Sequence, residues 1–244
     1  MNILIFDLIG KMGHFRKMDT NSSSLSYFFP PRTTIVGLIA GVLGIERDGY
    51  YEPFSFDQCH VGLSVRTPVR KMMQTVNYML VKSKGHLNNS EGHTQIPLEF
   101  VLPGKEEMAL RYRVYFSHKD PVIYEDVKKR VQSNRYIYPP YLGLSELLGQ
   151  LEWIAEAEGV QNEPDGLIPI HSVARISDLR ERSVQLSTDT RFVKEFMTRH
   201  FTKERTILET DYYLLELSRR LVAVPNVPYV TVTYGNETEH VLFM

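Results

Sequence analysis

The chain opens on a short, mostly apolar run, residues 2–9, of the length of a strand buried inside a sheet. A glycine-bounded segment, Gly10-Lys11-Met12-Gly13, and a polar stretch, residues 20–24, then lead to Pro30-Pro31-Arg32-Thr33-Thr34. Prolines followed by threonines mark a helix start, and the spacing predicts a helix over about 33–45. Gly37, Gly41 and Gly44 fall at i, i+4 and i+7, leaving one face without side chains that can lie close against a sheet or backbone. Ile35, Leu38, Ile39, Val42 and Leu43 cover the rest, so the helix is expected to be buried nearly all round. Residues 60–67 and 110–116 read as a second and a third strand. Between them, arms at 72–84 and 96–102 with partial two-residue alternation flank a polar tip at 82–93, which predicts a projecting β-hairpin.

Asp120-Pro121 starts a second helix to about Gln132, with Glu125 and Asp126 early and Lys128, Lys129 and Arg130 late, as the helix dipole prefers. Leu151, Trp153, Ala155 and Ala157 then alternate with Glu152, Glu156 and Glu158, the pattern of a half-buried strand. The resulting order is βαββαβ, which predicts an α+β, ferredoxin-like domain over 1–160 with the hairpin inserted at about 70–97. After the turn-rich residues 161–166, short strands are expected at 168–176, 212–217, 229–234 and 240–243, with Gly235-Asn236 as a hairpin turn. They predict a small β-rich subdomain, 161–244, closing over the first.

Composition narrows the class of function. With 244 residues and 43% hydrophobic content, the chain can bury a sizeable core. Its single cysteine, Cys59, rules out an intrachain disulfide and a cysteine-rich zinc site, and fits a reducing cytoplasm. The first residues lack the features of a signal peptide, and no apolar run approaches a membrane span; a cytoplasmic protein with no membrane partner is expected. The net charge of −1 is unevenly divided: residues 1–90 hold ten Lys or Arg against six Asp or Glu, and residues 58–90 hold no acid at all. That asymmetry fits an electropositive face for a polyanion, and equally an unevenly charged solvated surface.

Nucleic-acid recognition has the best support among the residues. Single-stranded RNA is held by Lys, Arg, hydroxyls and helix N-termini at phosphates, and by aromatic rings at bases. The first loop offers Lys11, His14, Phe15, Arg16, Lys17 and Tyr27, then Arg32, Thr33 and Thr34 at the helix start, where a phosphate is the natural guest. The hairpin adds Arg70, Lys71, Met72, Met73, Lys82 and Lys84, and the third strand adds Arg111. A second Pro and Gly loop rich in aromatics, residues 136–145, supplies Tyr141 and Gly143. Taken singly, each also fits ordinary surface or packing, and Phe28 and Phe29 read as core. The eight histidines show no metal-binding spacing and no nucleotide-binding fingerprint is present, so neither metal nor cofactor is expected. A metal-independent ribonuclease is the rival reading, with His118 and Lys119 beside Tyr50 or Tyr51 as base and cation; residues 117–120 also read as a polar turn.

Gly13-His14-Phe15-Arg16-Lys17 followed by residues 27–44 resembles the N-terminal signature of the CRISPR-associated Cas-five family, of the RAMP superfamily. The resemblance extends along the chain, and residues 32–44 with Val193-Lys194-Glu195-Phe196-Met197 look closest to the type I-B branch. It implies a ferredoxin-like RAMP domain, a thumb hairpin after Arg70, a small C-terminal β region and a glycine-containing loop, residues 138–145, near the RNA. It further implies a non-catalytic subunit of a type I Cascade complex in antiviral defence. Such a subunit holds the 5′ handle of the CRISPR RNA, caps the backbone Cas-seven subunits, docks the large Cas-eight subunit and meets target DNA through the assembled complex. Type I-C members instead cut precursor RNA with a tyrosine, a lysine and a histidine; here the nearest candidates, Tyr50 or Tyr51, His118 and Lys119, depart from that order.

Overall fold

The computed structural model describes residues 1–20, 23–78, 83–88, 90, 94–186, 188, 190–217 and 220–244. The first apolar run is β1 (Asn2–Gly10), followed by the short strands β2 (Phe15–Arg16) and β3 (Ser26–Tyr27) and by helix α1 (Arg32–Leu43). Next come β4 (Cys59–Val65), β5 (Val69–Tyr78), one turn of helix α2 (Lys84–Leu87), β6 (Thr94–Pro103) and β7 (Leu110–His118). Helix α3 (Pro121–Ser133) and the long β8 (Gly149–Asn162) follow. The remainder is β9 (Ile168–Ile170), β10 (Ala174–Arg175), β11 (Phe192–Phe201), β12 (Ile207–Glu216), β13 (Leu221–Ala223), β14 (Tyr229–Tyr234) and β15 (Glu237–Val241).

The main sheet is antiparallel throughout, in the order β15-β14-β8-β1-β7-β4. β1 lies inside it because both of its faces are apolar. Leu4, Phe6 and Leu8 pack with Ile35 and Ile39 of α1 and Val127 of α3, whereas Ile3 and Ile5 pack on the opposite face with Tyr115, Val230, Val232 and Val241. Asp7 is fully buried on that second face and is tolerated there because Arg113 donates to it through Nε at 2.8 Å and Nη2 at 3.1 Å, and Arg111 through Nη1 at 2.8 Å. The mixed α/β chain is thus strand-rich with few helices, and both longer helices cover one face of its sheet.

Both longer helices end as their sequences direct. Asp120 caps α3 by accepting from the Val122 amide at 2.8 Å, with Pro121 as the first helical residue. α1 runs one to two residues ahead of the expected span and stops at Gly44, whose φ of 77° is left-handed and whose neighbour Ile45 returns its amide to Ala40 at 2.9 Å. The expected hairpin is present: β5 and β6 pair without interruption from Val69↔Pro103 to Tyr78↔Thr94, while much of the tip expected at 82–93 lies outside the described residues.

Beyond residue 160 the architecture differs from the expectation. β14 pairs with β8 from Tyr229↔Asn162 to Val232↔Gly159, so the last hairpin extends the main sheet instead of standing apart. β11, absent from the expected strands, pairs along β12 in a separate sheet, β10-β12-β11, beside α1. Its inward positions include Glu195 and Arg199, both buried, so its pattern does not read as apolar-in. The expected single strand over 168–176 is two short ones, β9 and β10, followed by a 3₁₀ turn at Ile176–Asp178.

Candidate functional site

Two glycine loops are locked together beside α1. In the first, β2 and β3 pair as Phe15↔Tyr27 and Arg16↔Ser26. His14 braces this unit: its Nδ1 donates to the Glu99 carbonyl at 2.8 Å, which leaves Nε2 to accept from Ser24 Oγ at 3.0 Å. Burial pushes the pKa of His14 below its ordinary value, in keeping with the neutral ring these bonds require. In the second loop, Gly143 has a φ of 93°, and a Cβ there would stand 1.7 Å from the His14 carbonyl oxygen; only glycine fits. The His14 amide in turn donates to the Leu142 carbonyl at 2.9 Å. The second loop also reaches α1, with the amides of Ile137 and Tyr138 on the carbonyls of Val42 (3.1 Å) and Gly41 (3.2 Å).

Around these loops lies an open groove of about 1280 Å³. One wall is the side of α1 bearing Thr33, Thr34, Gly37 and Gly41, and another is the second loop from Tyr138 to Ser145. The first loop contributes Arg16 and Ser24, the hairpin contributes Tyr78, Ile96 and Leu98, and Phe201 and Arg205 close in from the β11–β12 turn. The glycine stripe therefore faces the groove and the second loop, whose backbone is the close neighbour there: a Cβ on Gly41 would find Tyr138 as its nearest neighbour, at 3.9 Å. Tyr138 and Tyr141 are 60% and 44% exposed, so their rings are open to a partner. Arg16, Arg47 and Arg205 bring positive charge to the rim and Glu46 a single opposing carboxylate. The N-terminus of α1 begins after Pro31 with no side-chain cap, which leaves its dipole end uncompensated by a neighbouring side chain.

The structure sorts the expected RNA-binding residues into several groups. His14, Phe15, Arg16, Thr33, Thr34, Tyr141 and Gly143 meet at the groove. Of these, His14 and Phe15 are buried at 2% exposure each, so they act as wall and brace, and Phe15 packs edge-on against Tyr112. Tyr27 is buried as well, its hydroxyl donating to the Phe196 carbonyl at 2.8 Å, so it offers no open ring for stacking. Arg32 is the largest departure from expectation. Its guanidinium, 2% exposed, turns inward, donates to the carbonyls of Phe54 (2.8 Å) and Cys59 (3.0 Å) and lies over the Phe56 ring at 4.3 Å. Those partners hold it away from the helix end where a phosphate was expected.

Other cations are spent internally. Lys17 pairs with Glu195, and Lys71 pairs with Glu99 at 3.0 Å while lying over the Phe28 ring at 4.2 Å. Arg111 lies on the sheet face away from the helices, bound to Asp7 and to Glu152 at 2.9 Å, so it does not reach the groove. Lys11, Arg70, Met72, Met73 and Lys84 are exposed outside the groove lining, and Lys82 lies outside the described residues. The sequence reading did not single out Gly37, Tyr78, Phe201 or Arg205 as groove residues; Phe201 and Arg205 arrive from a hairpin built on the strand with no apolar signal.

Tyr50 lines the groove, but His118 is engaged elsewhere. Its Nδ1 accepts from the Asp120 amide at 2.9 Å and its Nε2 donates to the Pro53 carbonyl at 2.9 Å. The Tyr51 hydroxyl donates to Asp48 at 2.9 Å. Cys59 is buried, and desolvation pushes its thiol up to about 12. Among the described residues no helix is long and apolar enough to cross a membrane.

No protein-family model matches the chain, and no curated protein matches it in sequence. Solved structures do. A CRISPR protein from Archaeoglobus fulgidus shares 16% identity with a TM-score of 0.58, over 99% of each chain. A chain of a CRISPR RNA-guided surveillance complex shares 11% identity with a TM-score of 0.51, over 92% of this chain and 91% of that one. At these identities the likeness is one of fold.

Proposed function

We propose that the chain is a non-catalytic, RNA-binding subunit of a CRISPR surveillance assembly, of the Cas-five family and closest to its type I-B branch. In this reading β1, α1, β4, β7, α3 and β8 form the ferredoxin-like RAMP core, in the sheet order β8-β1-β7-β4, and β5–β6 is the thumb. The groove holds the 5′ handle of the CRISPR RNA, and the faces outside it meet the backbone Cas-seven subunits and the large Cas-eight subunit, with target DNA engaged through the assembly. The observation that carries the reading is the convergence of both glycine loops on one groove lined by Arg16, the hydroxyls of Thr33 and Thr34 at an uncapped helix start, and the open rings of Tyr138 and Tyr141. Phosphates need such donors and unstacked bases need such rings. The fold likeness to a chain of an RNA-guided surveillance complex supports it. Cleavage gains no support from His118, both of whose ring nitrogens are occupied.

The test is binding of the end-labelled cognate repeat RNA in EDTA at two salt concentrations, on native and denaturing gels in parallel. A salt-sensitive shift with intact RNA is expected, weakened roughly tenfold or more in the Arg16→Ala, Tyr141→Ala double variant. Wild-type affinity in that variant would remove the groove from consideration, and discrete cleavage lost on His118→Ala would make the protein a processing enzyme.

A further inference from the structure

We propose that Arg205 is a phosphate ligand of the groove held in reserve by Asp48, an internal carboxylate that an incoming phosphate displaces. The inference rests on the RNA-binding reading above. Arg205 stands in the turn between β11 and β12, where the Thr202 amide donates to Thr206 O (2.8 Å) and the Arg205 amide to Thr202 O (2.9 Å). Its side chain crosses 157 positions of sequence to reach Asp48, in the loop after α1, with Nε 2.7 Å from Oδ1. The same oxygen accepts from the Tyr51 hydroxyl at 2.9 Å, and Phe201 packs edge-on against the Tyr51 ring. Both partners are non-glycine residues in left-handed backbone, φ 66° at Asp48 and φ 62° at Arg205, a conformation that costs free energy and here aims the two side chains at each other.

What distinguishes this pair from a structural clasp is its exposure and its neighbours. The Arg205 and Asp48 side chains remain 47% and 32% exposed, and such pairs add little net stability. Among the described residues only Nε of Arg205 is hydrogen-bonded, which leaves the two terminal nitrogens without such a partner on a residue that lines the groove. Arg47, 79% exposed, lies on the same rim with its Nε 3.8 Å from the other Asp48 oxygen. Two cations therefore share one carboxylate. A phosphate offers the guanidinium a charge-assisted contact of the same kind as the single one Asp48 gives it, so it can take the carboxylate's place.

The experiment is equilibrium RNA binding by fluorescence anisotropy across a salt series for wild type, Asp48→Asn, Arg205→Gln, their double variant and Glu46→Gln, each first checked by thermal unfolding. Arg205→Gln is expected to weaken binding roughly three- to tenfold and to lower the salt slope by about one phosphate. Asp48→Asn is expected to tighten binding several-fold when Arg205 is present and to have no effect in the Arg205→Gln background. An equal gain in both backgrounds, or one matched by Glu46→Gln, would reduce Asp48 to a general charge effect and overturn the proposal. So would an unchanged salt slope in Arg205→Gln. Absence of RNA binding by the wild type would instead sink the RNA-binding reading, and this inference with it.

Discussion

Arg32 occupies the first position of a helix beside a polar groove, yet its chemistry is that of a core residue. Its Nη2 donates to two carbonyls and the guanidinium lies over the Phe56 ring, while burial pushes its pKa below the ordinary arginine value. Arg32→Met should therefore lower folding stability by about 2–4 kcal/mol, because it strands two buried acceptors. Urea unfolding measures the loss, and the salt slope of RNA binding by the folded variant should stay at its wild-type value. A flattened slope with intact stability would return Arg32 to the role of ligand. The sequence made the cation at the helix start visible but not the direction of its side chain, which Phe54, Phe56 and Cys59 settle from more than twenty positions away. Tyr27 tells the same story through its bond to Phe196. Gly143 differs: its place in a loop was legible, and its reason, the His14 carbonyl where a Cβ would stand, needed the other loop to be present.

At the scale of elements, α1 has the job of presenting a flat wall. Gly41 has space for a methyl group, with Tyr138 Cβ 3.9 Å away, so Gly41→Ala should raise stability by about 0.5–1 kcal/mol through helix propensity alone. Gly41→Leu should keep the fold and weaken RNA binding by filling the groove; calorimetry and a binding titration separate the two effects. Retained affinity in the leucine variant would mean that the strand runs elsewhere. β1, α1 and β8 were legible because an apolar run or alternation dictated each, α3 because its Asp-Pro start and charge distribution marked it, and the β5–β6 hairpin through partial alternation on either side of a polar tip. β11 was not, since Glu195 and Arg199 point inward, the first paired with Lys17 from the other end of the chain and the second with Glu209 on the adjacent strand β12. With β11 unseen, the part of the groove that Phe201 and Arg205 supply was unseen too.

Across the whole molecule, His14, His60, His171, His200 and His240 are each pushed by burial below the ordinary histidine pKa of 6.5. The unfolded chain therefore takes up protons first as pH falls through about 6.5, and each histidine's contribution to stability is complete above that value and is lost below it. The urea midpoint should fall progressively between pH 7.5 and 5.5, and a flat midpoint over that range would show that these rings are solvated. The same global view gives the buried Asp7 a role in time. β1 is made early, but its neighbour β7 is not: Asp7 and Arg113 are 106 positions apart. At ordinary rates of synthesis the strand waits roughly 5–20 seconds for that partner. During the wait Asp7 is a hydrated charge in the middle of Ile3, Leu4, Ile5, Phe6, Leu8 and Ile9, the kind of interruption that disfavours pairing between apolar segments. When Arg113 emerges, that same charge becomes the contact that sets the strand's register.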